Sequence, residues 1–446
     1  MNTHDQSRLT RRQVLATTAG LVAITPVMRA TAALQPEHQG HKPQTTPPTP
    51  PPPAQPPQGH QGHAPVATAA PPGNLPYRPV IAPDSPTLPF EMDNGVKVFR
   101  LTAQPVAREF APGLVVNCWG YNGQSPGPMI EAVEGDRIRI LVTNNLPVHT
   151  TVHWHGLLLP NGMDGVGGLT QKHIRPGQTF KYEWTIRGHG TYMYHPHFDE
   201  MFQMGLGMMG LFIVHPREPR EPRVDRDYAI LLNEWAVAPG AATPDPTEMT
   251  AFNLFTFNGR VFPGTSPLLA RIGERVRIRI GNLSTTNAHP IHLHGYSFKV
   301  TGTDGGPIPE SAQWPEVTVN VPTGATRDIE FIADNEGDWA FHCHKVHHLM
   351  NGMGHNLPIV VGMNTDDVNT RLAKVLPGAM PLSVGMGHMM EMGRPRNTIG
   401  SSTEGPFDEI DAGGMFTIVK VRKELGDGAD PGWYQHPAGT VAELLP

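Results

Sequence analysis

The sequence predicts an all-β protein built from two similar β-sandwich domains, and three observations carry that prediction. Short apolar alternations punctuated by Gly and Pro begin near residue 88, as "VKVFRLTAQPV", "DRIRILVTNN", "TFKYEWTI" and "LFIVHP". They begin again after the charged linker "REPREPRVDRD" (217–227), as "YAILLNEWAV", "ERVRIRIGNL", "FKVTGT", "RDIEFIAD" and "LPIVVGM". Period-two runs at this spacing belong to sandwich strands, and no long amphipathic helix interrupts them. The two series also form an internal repeat. "EGDRIRILVTNN" followed by "HWHG" parallels "IGERVRIRIGNL" followed by "HLHG", and "GHGTYMYHPH" parallels "NEGDWAFHCH". His195 and His342 each lie 18 residues past a turn glycine, Gly177 and Gly324.

Taken in order, residues 1–32 read as a twin-arginine export signal: Arg11–Arg12, a short apolar run broken by Thr and Pro, then Ala30-Thr31-Ala32. The run is too short for a membrane span, so the mature chain is expected to have none. Residues 33–84 are rich in Pro, Gln and His and read as a solvated tether, with too little apolar surface to offset chain entropy. The first domain is expected at 85–216 and the second at 225–370. Only 91 residues separate His197 from His289, and the opening strands of the second domain use most of them, so a third domain is not expected. Residues 371–446 read as a methionine-containing tail with one strand, "GMFTIVKVRKEL". A net charge of −6 with mixed signs throughout excludes nucleic acid as a partner. Of the two cysteines, Cys118 sits in the apolar run "LVVNCW" and reads as a buried small hydrophobe. Cys343 lies inside "HCH", where a thiolate suits a metal better than a disulfide.

In a strand, residues i and i+2 share a face, so H-x-H sets two imidazoles side by side. Four such pairs occur, His153/His155, His195/His197, His292/His294 and His342/His344, at equivalent places of the two repeats. Eight imidazoles suit copper, zinc, iron or nickel. Cys343, on the opposite face from His342 and His344, narrows the choice. A thiolate with two imidazoles and a weak axial methionine is the ligand set of a blue copper site. His289 and His348 supply the imidazoles, and Met353, ten residues past Cys343, the thioether.

With all four motifs present over about residues 88–365, the chain resembles the multicopper oxidases, the family of laccases and bacterial copper-resistance oxidases. The resemblance implies cupredoxin-like Greek-key domains and four coppers per chain. His153 and His292 match the ligands of the type 2 copper. His155, His195, His197, His294, His342 and His344 match those of the type 3 pair. Cys343, His289, His348 and Met353 match the type 1 site, with His348 the ligand at which electrons arrive from substrate. Asp164, eleven residues past His153, matches a carboxylate that relays protons. Aligning the repeats puts Thr150, Pro196, Met201 and Leu206 where the second half has His289, Cys343, His348 and Met353, so the first half lacks a blue copper site. Likeness to two-domain members implies a homotrimer in which neighbouring subunits complete each three-copper cluster.

The function expected is an exported or periplasmic copper-dependent oxidase that couples one-electron oxidation of Cu(I), phenols or aryl amines to reduction of O₂ to water. Two alternatives are a periplasmic copper-sequestering resistance protein and a copper nitrite reductase. Met201 to Met209 read as packing residues, whereas Met380, Met386, Met389, Met390 and Met392 are soft enough to contact Cu(I).

Overall fold

The computed structural model describes residues 77–351 and 403–445, except 112, 220–221, 238–240 and 427, together with residues 370 and 374. The expected export signal, Met353, the strand expected at 357–363 and the methionines between 380 and 392 lie outside the described residues.

The first half consists of two sheets. One orders the strands Phe90–Asp93, Val96–Ala111, Arg137–Asn144 and Thr179–Thr185, with Leu114–Tyr121 added beside Val96–Ala111. The other orders Ile130–Val133, Gly210–His215, Gly190–His195 and His153–His155. Sequence alternation decides which side of each strand turns inward. In Arg137–Asn144, Ile138, Ile140 and Val142 are fully buried while Arg137 and Arg139 reach outward. They pack with Trp154, Tyr194 and Phe212 from the facing sheet. Each such side chain contributes roughly 1.5–3 kcal/mol of burial.

The second half repeats this plan. A seven-stranded sheet places Arg226–Trp235 parallel to Arg275–Asn282 and Thr326–Ile332 antiparallel to it. Its partner sheet orders Leu268–Arg271, Phe416–Arg422, Gly337–Cys343, His289–Leu293 and Thr318–Val321. Phe416–Arg422 corrects the expectation of a tail. The predicted strand forms, but it lies between Leu268–Arg271 and the strand that ends in Cys343. Its Val419 and Val421 belong to the main core of this half, beside Phe341 and Cys343.

Two further expectations need correction. Of the stretch assigned to the tether, residues 77–84 belong to the fold. Val80 and Ala82 are buried, the Val80 N–H donates to Glu131, and Ile81 exchanges backbone hydrogen bonds with Asp227 and Ala229. A short apolar run inside a Pro-rich segment was enough to pair. The charged stretch 217–227 is also no plain linker at its end, because Arg226 and Asp227 open a strand and Asp227 is buried.

Asp227 is part of the contact between the halves. Met129, Met193, Leu211 and Ile213 of the first pack with Ala229, Leu231 and Leu283 of the second. Beside them the buried Arg279 guanidinium grips Asp227 with two bonds of 2.8 and 3.0 Å and donates to Thr191 at 2.9 Å. Thr191 in turn donates to Asp328 at 2.7 Å. Burial alone would raise the Asp227 carboxyl, but Arg277 and Arg279 hold it below the usual range. Arg279→Ala leaves two buried carboxylates short of their cation, so a loss of about 3–5 kcal/mol is expected. Denaturant unfolding reads this directly, and an unchanged midpoint would contradict it.

Candidate metal centre

The four H-x-H pairs fall into two tetrads, one on each partner sheet. In His153–His155, Trp154 turns into the core and the two imidazoles take the opposite face. Across the ladder His153 stands opposite His195, so the pairs meet side by side. Ring centroids lie 5.4 Å apart for His153–His195, 5.4 Å for His155–His195 and 5.7 Å for His153–His197. The second half reproduces this. His292 stands opposite His342, with centroids 5.6 Å apart, and His294–His342 and His292–His344 are at 5.2 and 5.4 Å. Among the described residues, no ring contact joins one tetrad to the other.

Second partners orient these rings. Nδ1 of His153 lies 2.8 Å from the Asp164 carbonyl, and that of His292 lies 2.6 Å from the Val317 carbonyl. His195 and His342 turn Nδ1 to the carbonyls of Pro196 and Cys343, each at 2.9 Å. A carbonyl accepts only from N–H, so each contact leaves Nε2 with a free lone pair. His155 Nδ1 and His195 Nε2 approach to 3.2 Å, and His294 Nε2 and His342 Nε2 to 3.1 Å. Donor nitrogens gathered in this way fit a metal.

Asp164 follows a single 3₁₀ turn, Asn161–Met163, and its carboxylate is 3.4 Å from His153 Nδ1. Gly165, with φ of 86°, keeps that loop against the strand, since a Cβ there would sit 1.8 Å from the Val152 carbonyl. The sequence reading missed Glu200. Its carboxylate lies 3.3 Å from His195 Nδ1 and 3.8 Å from His197 Nε2. An acidic residue three positions past "HPH", at the start of the short helix Glu200–Gly205, was the available signal.

A third cluster occupies the inner face of the second sheet. His289, Cys343 and His348 are all fully buried. Cys343 Sγ lies 3.6 Å from His289 Nδ1 and 3.5 Å from His348 Nδ1, and the two nitrogens are 3.0 Å apart. Ser284 Oγ sits 2.7 Å from His289 Nε2 and holds the ring with Nδ1 turned toward Cys343 and His348. Three converging donors, one of them sulfur, fit a soft or borderline cation such as copper. His348 lies wholly inside, stacked on Phe255 at 4.0 Å with His347 edge-on at 4.5 Å. In the first half, Thr150 is buried and bonded to Gln203 at 2.7 Å, Pro196 offers no donor, and Met201 is exposed. Of the methionines expected to pack, Met204, Met208 and Met209 lie in the interior, whereas the exposed Met201 corrects that expectation. Both cysteines are free and buried.

Burial lowers the imidazoles to about 3 for His195 and His289, about 4 for His342 and about 2 for His348, and raises the Cys343 thiol to about 12. A bound cation opposes the last of these shifts. In the metal-free protein, the unfolded chain takes up protons below about pH 6.5 that the folded sites refuse. Stability is therefore present above 6.5 and falls as pH drops toward about 4. Denaturation midpoints of metal-free protein should fall between pH 7.5 and 5, and a flat profile would refute this.

Multicopper oxidase family models match residues 102–219 and 239–362, together more than half of the chain. Multicopper oxidase MmcO of Mycobacterium tuberculosis is 35% identical over 243 residues, 47% of each chain. The solved structure of the multicopper oxidase mgLAC is 33% identical, with a TM-score of 0.53 over 58% of this chain and 82% of that one. The blue copper oxidase from Nitrosomonas europaea is 31% identical, with a TM-score of 0.53 over 57% and 81%. The chain spans about half or less of the length of the curated relatives it matches. The matching models, the β-sandwich architecture and the gathered histidines agree, and the chain belongs to the multicopper oxidase family.

Proposed function

We propose that this protein is an oxidase that takes electrons singly from a small reductant and reduces O₂ to water, with Cu(I) or a phenol as the reductant. The single observation that carries the reading is the strand Gly337–Cys343. Its Cys343 belongs to the buried His289/Cys343/His348 trio, and its neighbour His342 belongs to the outward-facing tetrad. Copper held by these donors would supply the one-electron chemistry, four electrons and four protons converting each O₂ to two waters.

The chain's own residues have separate tasks. The carbonyls of Asp164, Val317, Pro196 and Cys343 fix the imidazole tautomers of the tetrads, and Ser284 orients the His289 ring. Asp164 and Glu200, both partly exposed, are placed to hand protons toward the first tetrad. Burial of the trio keeps water off the thiolate.

Among the described residues no ring contact joins the two tetrads, and His294 and His344 are exposed. A closed homotrimer, in which the first tetrad of one subunit faces the second tetrad of the next, completes a three-copper cluster at each interface and gives four coppers per chain. His348 remains the expected receiver of electrons, a methionine thioether the expected weak ligand beside the trio, and the amino terminus an export signal. Among the described residues, no helix is long and apolar enough to cross a membrane. The lack of blue-site donors at Thr150, Pro196 and Met201 weighs against a nitrite reductase, whose blue site would lie in the first half.

The test is O₂ uptake by copper-loaded protein, supplied in parallel with a stabilised Cu(I) complex and with a methoxyphenol. Uptake with either supports an oxidase and names its reductant. Copper binding with no uptake from either would favour a sequestering protein.

A further inference from the structure

We propose that Met415, 72 residues past Cys343, takes the axial position of the blue copper site in place of Met353; the proposal rests on the function above. The strand Phe416–Arg422 runs antiparallel to Gly337–Cys343, with Thr417 opposite Phe341 and Phe416 opposite His342. Val419 and Val421 face the core, and the alternation carries back through Thr417 to Met415. Met415 is fully buried in the same cluster as Cys343, Ile291 and Phe255.

Its backbone is tied to two of the three donor residues. The Cys343 N–H donates to the Met415 carbonyl and the Met415 N–H donates to the His348 carbonyl, both at 3.0 Å. The approach is built for this contact. Gly413 and Gly414 both donate to the Leu349 carbonyl, at 3.0 and 2.8 Å, and a Cβ on Gly414 would lie 2.2 Å from the His348 carbonyl. Asn351, left-handed at φ 53°, accepts from the Phe255 N–H at 2.9 Å and donates to the Gly413 carbonyl. The chain thus leaves the ligand loop at Asn351 and returns beside it at Gly413.

The internal repeat supports the same residue. Gly190 opposite Val214 and Gly337 opposite Val421 bring the two halves into register, and that register sets Met208 on Met415. Met208 follows His195 by 13 positions, whereas Met415 follows His342 by 73. The second half therefore carries 60 additional residues between the ligand loop and the strand that closes the sheet. A ten-residue spacing from the cysteine assumes that this strand follows at once. Here the thioether that arrives with the strand is that of Met415, and a thioether is the weak donor such a site uses.

The test uses full-length, copper-loaded protein and the type 1 midpoint potential, read by redox titration alongside visible and electron paramagnetic resonance spectra. Met→Leu preserves volume and should leave the fold intact. The expected result is an upward shift of potential in Met415→Leu, a downward shift in Met415→Gln, where an amide oxygen replaces the thioether, and no shift in Met353→Leu. A shift in Met353→Leu without one in Met415→Leu would overturn the assignment, as would no shift in either. Wild-type protein that binds copper without the intense thiolate-to-copper band would overturn the proposed function itself, a distinct outcome.

Discussion

Two inactive variants, His153→Ala/His155→Ala and His292→Ala/His294→Ala, are expected to recover activity when co-expressed. In the proposed homotrimer, each variant alone would disable every cluster. In mixed rings a working interface needs an intact first tetrad from one subunit and an intact second tetrad from the next. Random assembly in a closed three-membered ring gives that pairing at about one quarter of the interfaces. O₂ uptake near a quarter of wild type therefore follows, with the blue copper of the subunit that keeps His292 and His294 serving the repaired cluster. If each chain built its cluster alone, mixing would restore nothing. Sizing each variant separately establishes that neither fails simply by falling apart.

Cys343→Ser is expected to remove both the colour and the turnover. Its side chain reaches His289 and His348 while its backbone neighbours are His342 and His344. A hydroxyl of similar size keeps the packing but does not ionise to a soft donor at neutral pH. The intense visible band should vanish and O₂ uptake fall by on the order of a thousandfold or more, as when a group on which a whole step depends is removed. Near-normal turnover in this variant would sink the proposed electron route. The second tetrad lies on the other face of the sheet that carries Cys343 and the first on a separate sheet, so copper bound by those histidines should persist.

Much of the candidate site was legible because strand geometry is so regular. H-x-H implies two imidazoles on one face, and the structure places His153 with His155 and His292 with His294 in that way. The same alternation puts Cys343 and His342 on opposite faces in the sequence alone. Glu200 was not legible, since an acidic residue after a histidine motif has no period to betray it, and only the turn of the short helix aims it at His195. Arg279 was equally silent. In "ERVRIRIGNL" it reads as one more outward arginine, yet the sheet buries it against Asp227.

What the sequence determined by itself was whatever depends on neighbours one to five residues apart: the strands, the histidine pairs and the Cys343–His348 spacing. What only the tertiary structure decided was whatever depends on which distant strand pairs with which. The Phe416–Arg422 strand carries an ordinary apolar alternation that could close any sheet edge. It takes its place beside Gly337–Cys343 because burying Val419 and Val421 there completes a core that Leu268–Arg271 and His289–Leu293 leave open. That long-range choice, made across 60 additional residues, brings Met415 against the cysteine.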